Sequence, residues 1–471
     1  MDPASFKFQV SLILAICVLD GADVGLLGAT FRALEESLGL TPAQLGLMGL
    51  AQASTMALAG PAWGWLCDTG FATRRQLMST GALGWGTMMI CTGFAQSVTT
   101  LVLVRLLNGA FLASLMPLSQ GWVADYVLPE SRGSMFGYLQ SAQAVGGIVC
   151  SAMTVAVASK EYQVGSKTYE GWRLMCFLVG FLSMMLASLV RVFMADGKKN
   201  DEATQEVSLS NGPAEVLANL RSHWRIPSFR MIISQGVVGS IPWNAMSFET
   251  MYLLYVGFTP ETLSFITFCL APTHICGGLI GGYIGDWAAR KSPYHGRAYT
   301  AQVSVLAGIP SAMLILVVLP KTVGASMAWF ICVKAFFNLT ATWCLSGVNR
   351  PLLNDIVEPK CRASIVAWDC ALEGTVAAVF GMPFLGYLAE HCFGYQPSRA
   401  AVADMPLAVR AGNLQALQSA LTVMYIVPWA LCFICYSGLH WTYKRDMQQI
   451  GNLRKRGARE SDETCFLAEV S

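Results

Sequence analysis

Gly64-Trp65-Leu66-Cys67-Asp68-Thr69-Gly70-Phe71-Ala72-Thr73-Arg74-Arg75 ends one long apolar run of the chain and begins the next. Gly282-Tyr283-Ile284-Gly285-Asp286-Trp287-Ala288-Ala289-Arg290-Lys291 does the same much later, and both its glycine and its aspartate stand 218 residues after those of the first copy. A glycine one helical turn before an aspartate lets a helix approach its neighbour while the carboxylate sits at a membrane surface, and the basic pair holds the loop out of lipid. That pair follows the aspartate by four and five residues at Arg290 and Lys291, but by six and seven at Arg74 and Arg75. One copy would read as a helix end with solvated charges. Two copies at matching places point to duplication.

Two more matches extend the alignment. Gly39-Leu40-Thr41-Pro42 with Leu45 recurs as Gly257-Phe258-Thr259-Pro260 with Leu263, again at an interval of 218. Asp125, Pro129, Arg132 and Ser134 recur as Asp355, Pro359, Arg362 and Ser364 at an interval of 230. Three ordered matches with one insertion indicate two parallel units.

Apolar residues make up 54% of the 471-residue chain and charged residues 13%, with a mean hydropathy of +0.49, more apolar side chain than a soluble fold hides. About 20 residues cross about 30 Å of hydrocarbon as a helix, and twelve runs suffice: 8–30, 43–66, 76–95, 99–124, 134–158, 172–194, 229–254, 260–285, 298–319, 323–352, 363–390 and 414–443. They lack the alternation of barrel strands, and backbone satisfaction in lipid then requires helices. The expected fold is an all-α membrane protein of twelve transmembrane helices in two six-helix repeats. Its expected parts are 1–195, a cytoplasmic linker 196–225 with a short surface helix over Pro213–Trp224, 226–443, and a tail 444–471 that is disordered beyond about 446. Gly21, Gly25, Gly28, Gly137, Gly146, Gly147, Gly277, Gly278, Gly281 and Gly282 permit close helix contact, and Pro61, Pro117, Pro242, Pro272, Pro310 and Pro383 are candidate kinks.

With the N-terminus inside, 22 basic residues fall on one face and seven on the other, so both termini are expected in the cytoplasm; which membrane is not specified. Met1 to Lys7 lacks the basic start and small-residue cleavage site of a signal peptide. The net charge of +2 and the absence of a basic face with interleaved aromatics argue against nucleic-acid binding. The fifteen scattered cysteines read as small apolar residues, and no metal or cofactor is implied.

Ionisable groups inside a bilayer are costly enough to be functional candidates. Asp20 and Asp23 lie on one side of the first span, and counting about 1.5 Å per residue sets Asp23 at nearly the depth of Arg105 in the fourth, so the two can pair. That pair either loads protons or locks two helices. Lys334 stands near the repeat position of Arg105, with Glu249 as its partner or as a carboxylate in interfacial water. Asp369 and Glu373 share a face of the eleventh span, and His274 lies mid-depth in the eighth, all near enough to mid-membrane to line a cavity.

The repeated loops and the stretches Arg105-Leu106-Leu107-Asn108-Gly109, Asn354-Asp355 with Pro359 and Arg362, and Ala371-Leu372-Glu373-Gly374 resemble the major facilitator superfamily, and within it the spinster-like branch and its plant and protist relatives. The resemblance implies a two-domain secondary transporter working by alternating access, with Gly64, Asp68, Arg74, Arg75, Asp125, Arg132, Gly282, Asp286, Arg290, Lys291, Asp355 and Arg362 at its cytoplasmic gate. The expected substrate is a small organic or lipid-like molecule, coupled to protons through Asp20 or Asp23 with Arg105, in a monomer. A transporter-shaped receptor or scaffold is the alternative. An enzyme is disfavoured: no metal-ligand pattern, no nucleophile with its base and no phosphate-binding Gly-x-x-x-x-Gly-Lys loop occurs.

Overall fold

The computed structural model describes residues 3–68, 71–127, 132–195, 221, 223–319, 327–357 and 362–469. The first half contains α1 (Pro3–Leu38), α2 (Pro42–Asp68), α3 (Arg74–Phe94), α4 (Val98–Leu112), α5 (Leu115–Tyr126), α6 (Arg132–Val157) and α7 (Gly171–Phe193). The second contains α8 (Pro227–Gly239), α9 (Ile241–Ala245), α10 (Glu249–Val256), α11 (Pro260–Lys291), α12 (Gly296–Met313), α13 (Met327–Ala341), α14 (Arg350–Ile356), α15 (Arg362–Phe380), α16 (Met382–Tyr387) and α17 (Leu407–Glu469). The fourth span is α4 with α5, the seventh α8 to α10, the tenth α13 with α14, and the eleventh α15 with α16. Among the described residues, eight helical stretches are each long and apolar enough to cross a membrane. Leu58, Phe181, Leu279 and Trp441 are large, apolar and exposed, a liability in water and a lipid face in a bilayer.

The repeated Gly-x-Thr-Pro motif is a helix stop and start. Gly39 and Gly257 take φ of 72° and 119°, the left-handed region in which only glycine is unstrained, and end α1 and α10. Two residues on, Thr41 accepts from the Gln44 amide and Thr259 from the Thr262 amide, each at 3.3 Å. The following proline occupies the first turn, where its missing N–H costs nothing.

Helix packing repeats as well. The first span packs on the fifth, the second on the fourth and the third on the sixth; the seventh packs on the eleventh, the eighth on the tenth and the ninth on the twelfth. Across the seam α2 meets α15 and α16 while α6 meets α11, a pairing that exchanges second with eighth and fifth with eleventh.

Several expectations change. Residues 161–164 and 167–170 form an antiparallel hairpin, β1 with β2, between α6 and α7. The seventh span is broken near Gly239 and Pro242, and the eleventh at Gly381 and Pro383, each proline restarting a helix near its own first turn. Pro272 and Pro310 lie inside α11 and α12. The last span does not stop near 443: α17 runs on to Glu469, consistent with the Lys-, Arg-, Glu- and Gln-rich composition there, which contains no proline. The helix expected over Pro213–Trp224 falls mostly outside the described residues. The twelve described cysteines are all free thiols.

The motif glycines are not the tight ones. Nothing lies within 4 Å of a Cβ placed at Gly64, Gly137, Gly278 or Gly282. On α11 the close face is one residue earlier: a Cβ at Gly277 would meet the Asn338 carbonyl at 2.2 Å, and one at Gly285 the Gly347 carbonyl at 2.3 Å. Gly278 and Gly282, a step of about 100° round the helix, turn away from that contact, and Gly278 lines a cavity instead. Span one meets span five closely, since a Cβ at Gly21 would come within 1.8 Å of the Gln143 carbonyl and one at Gly146 within 1.9 Å of the Val18 carbonyl. Gly146→Val is therefore expected to eliminate folded protein while Gly282→Ala folds normally, as read by size-exclusion yield and melting temperature.

Candidate functional site

Asp23 and Arg105 meet in a buried network of four side chains. The Arg105 Nη1 donates to Asp23 Oδ1 and to Gln52 Oε1, each at 3.2 Å. The Trp85 indole donates to Asp23 Oδ1 at 3.4 Å, and the Gln52 amide donates to Oδ2. Asp23 and Arg105 are 0% and 1% exposed, so this ion pair is held away from water. A Cβ at Gly109 would fall 2.1 Å from the Gln52 carbonyl, so this glycine lets the fourth span close on the second and brings glutamine to arginine. Asp20 points elsewhere and accepts from Gln143 of α6.

In the second half Lys334 donates to both Glu249 oxygens at 2.6 Å, and its ammonium lies 4.9 Å from the Phe337 ring centroid. His274 packs edge-on to Trp243 at 6.3 Å. Glu373 lies against Gly236, where a Cβ would stand 1.7 Å from its Oε1. Asp369 is buried, and its Oδ1 has no hydrogen-bond partner among the described residues.

Two cavities lie between the helices, the first lined apart from Gln140 by the second half and the second lined by both halves. One of about 420 Å³ is lined by Glu373, Trp243, Trp429 and Tyr436; the other, about 730 Å³, by Gln143, Glu249, Lys334 and Asn338. Gln140, His274 and Leu345 line both. Glu249, His274, Lys334 and Glu373 thus line a cavity, whereas Asp20, Asp23, Arg105 and Asp369 line neither. For Asp369 this corrects the expectation from depth. A shared helix face fixes height and not which neighbour covers a side chain, and Asp369 is 4% exposed.

Of the gate residues, Asp286 receives Arg297 at 2.8 Å, and Arg297 also donates to the Gly347 carbonyl at 2.6 Å. Asp355 accepts from Tyr443 at 2.8 Å. Arg74 and Arg75 open α3; Arg75 reaches the Met194 carbonyl at 3.5 Å. Arg290 and Lys291 occupy the last turn of α11. The side chains of Asp68, Asp125, Arg132 and Arg362 lie outside the described residues.

A network at the opposite face was missed. Arg32, near the C-terminal end of α1, contacts Glu35 at 2.6 Å and donates to Glu36 at 3.0 Å. It also donates to the Tyr255 hydroxyl at 3.2 Å, to the Ser398 carbonyl at 3.1 Å and to the Ala400 carbonyl. Glu35 accepts from the Tyr395 hydroxyl at 2.8 Å and from the Ser398 amide at 2.9 Å. Because Tyr395 gives its proton to a carboxylate, Tyr255 must be the donor in the 2.7 Å bond between the two phenols. Burial first, and then the Glu35 charge, hold the Tyr395 hydroxyl well above its usual range, so it stays a donor. Lys160 meets Glu261 at 2.7 Å beside this network, though both are exposed and the pair is weak. The Arg32 contacts with Tyr255, Ser398 and Ala400, the Glu35 contacts with Tyr395 and Ser398, and the Lys160–Glu261 pair tie the first half to the second. The one available signal was an Arg-x-x-Glu-Glu run inside a long apolar helix, Arg32 with Glu35 and Glu36.

The Major Facilitator Superfamily family model matches residues 13–369. A probable sulfoacetate transporter of Cupriavidus necator is 23% identical over 435 residues, 88% of this chain and 92% of that protein. The crystal structure of a bacterial homologue of the human lysosomal transporter Spinster, inward-facing and unoccupied, superposes with a TM-score of 0.77 at 18% identity, over 95% of this chain and 99% of that one. A D-xylose–proton symporter superposes with a TM-score of 0.64 at 14% identity, over 89% and 97%. Twin six-helix repeats, a seam pairing that exchanges under the repeat, central cavities and a family match over most of the chain agree: this is a membrane transporter, not an enzyme, and it belongs to the Major Facilitator Superfamily.

Proposed function

We propose that the chain is a monomeric secondary active transporter that moves a small organic solute or a lipid-like molecule by alternating access and couples it to protons. The observation that carries this reading is a cavity of about 730 Å³ lined by both halves, together with a polar network that bonds those halves at one face. In the proposed cycle the halves, 1–195 and 226–443, rock about the seam between them with 196–225 as their cytoplasmic link and 444–471 as a tail. The Arg32 network breaks as one face opens, while the Asp286 and Asp355 contacts, which lie within the second half and coexist with that network, keep the cytoplasmic helix ends of that half together as it moves. Both termini are cytoplasmic in this scheme, and the names of two relatives, one for sulfoacetate and one for xylose with protons, support solute transport.

Asp23 with Arg105 is the proposed coupling pair and Asp20 the second candidate. A buried carboxylate bonded to an arginine changes its contacts when it takes a proton, and a ligand shifts a two-state protein only through such differential contacts. Purified protein in liposomes with an imposed proton gradient tests the proposal: a substrate should accumulate against its gradient and collapse with a protonophore. Binding without flux would favour a receptor. For orientation, tags at residues 1, 205 and 471 should be reached from the cytosol and one at 165 should not.

A further inference from the structure

Two bases deep in the spans would favour an anionic substrate if either were free, but Arg105 is committed to Asp23 and Lys334 to Glu249. What remains is acidic. Asp20, Asp369 and Glu373 have no ion-pair partner among the described residues, and Arg350 alone sets one positive charge against both Asp369 and Glu373. Among the described residues, Glu373 is the one acid lining the 420 Å³ cavity, and no lysine or arginine lines it.

Its carboxylate makes no hydrogen bond among the described residues; only its backbone carbonyl is used, by the Ser240 hydroxyl at 3.2 Å. Aromatic side chains line the same cavity: the Trp243 and Trp429 ring centroids lie 6.3 Å apart, and Val305, Ala341 and Leu345 supply apolar surface. An unpaired carboxylate inside an aromatic cavity is complementary to a cation with an apolar body, because ring faces attract a desolvated positive charge and the carboxylate supplies the counter-charge. The volume is within the range of roughly 300–1,000 Å³ usual for small ligands.

We propose that this cavity binds an organic cation, a protonated amine or quaternary ammonium, with Glu373 as counter-ion and Trp243 and Trp429 flanking the charged head. This rests on the transport reading only for what happens after binding. It also sets this chain apart from what an anion-named relative would suggest.

The test uses the full chain purified in detergent and four probes: benzyltrimethylammonium, phenethylamine, 2-phenylethanol and phenylacetate, titrated by calorimetry. Both cations should bind, the alcohol at least about tenfold more weakly and phenylacetate more weakly still, since one lost charge contact is worth about 1.4 kcal/mol or more. Glu373→Gln should weaken both cations about tenfold or more, Glu373→Asp should restore part of the loss, and Trp429→Leu should weaken the cations more than the alcohol. A second measurement needs no variant: benzyltrimethylammonium should protect Glu373 from carbodiimide labelling, read by mass spectrometry, and phenylacetate should not. Absence of cation binding in the millimolar range, equal binding of phenylacetate, unchanged cation binding to Glu373→Gln, or labelling of Glu373 unaffected by cation would each overturn the proposal. Flux is scored separately: cation binding without flux in liposomes would sink the transport reading and leave the site standing.

Discussion

Asp23→Asn is expected to abolish proton-driven accumulation while downhill exchange continues. One coupled proton in a gradient of about one pH unit supports roughly tenfold accumulation, so the ratio should fall to about one in the variant. The reason is local. The asparagine oxygen still accepts from Arg105 and Trp85, but the amide cannot take up and release a proton in the working range. Leaving Arg105 buried without its counter-charge costs about 3–5 kcal/mol in comparable pairs, and so the variant will also melt earlier. The double variant Asp23→Asn with Arg105→Gln separates the two effects, because it removes both charges and should regain much of the stability without regaining coupling. If Asp20→Asn loses pH dependence and Asp23→Asn keeps it, the coupling site moves to the Gln143 contact. Parental accumulation in both variants would end the proposal for the first span.

Arg32→Ala is expected to shift the protein toward opening at the face where Glu35 lies. Arg32 and Glu35 are 2% and 0% exposed, and the substitution strands a buried carboxylate only while that face is closed. Opening admits water to Glu35, so the penalty of about 3–5 kcal/mol falls on the closed state and the equilibrium should move a hundredfold or more. The readout is the maleimide labelling rate of Ser247→Cys, which sits behind the gate: a Cβ at Gly28 would lie 2.9 Å from the Ser247 carbonyl. Glu36→Gln serves as the control. That carboxylate is 18% exposed and its loss should change the rate little. Equal labelling of Arg32→Ala and the parent would show that the network does not hold the face shut.

The depth argument placed Asp23 level with Arg105, and the structure joins them, because rise per residue is a property of any helix and survives tertiary context. Depth said nothing of Arg32 and Glu35. By sequence they stand where the first helix leaves the membrane, a position at which charges are ordinarily wet, and only the segment from Tyr395 to Ala400 folding over them makes them buried and shared between the halves. Gln52, Trp85 and Gln143 were invisible for a related reason. Neutral polar side chains give no signal until a partner from another span is known.

What the sequence determined by itself was whatever repeats or depends on near neighbours: the helical class, forced by apolar length; the duplication; and the helix boundaries at Gly39-Leu40-Thr41-Pro42 and Gly257-Phe258-Thr259-Pro260, where glycine, cap and proline act within one turn. What only the tertiary structure decided was the direction each side chain faces. Gly281 and Gly282 differ by one residue in sequence and about 100° in azimuth, and so one touches Trp343 while the other meets open space. Glu373 and Asp369, four apart on one helix, part company in the same way, one facing a cavity and the other covered. Local periodicity fixes the angle between neighbours on a helix but not the rotation of that helix against the rest, which is set by packing among spans far apart in the chain.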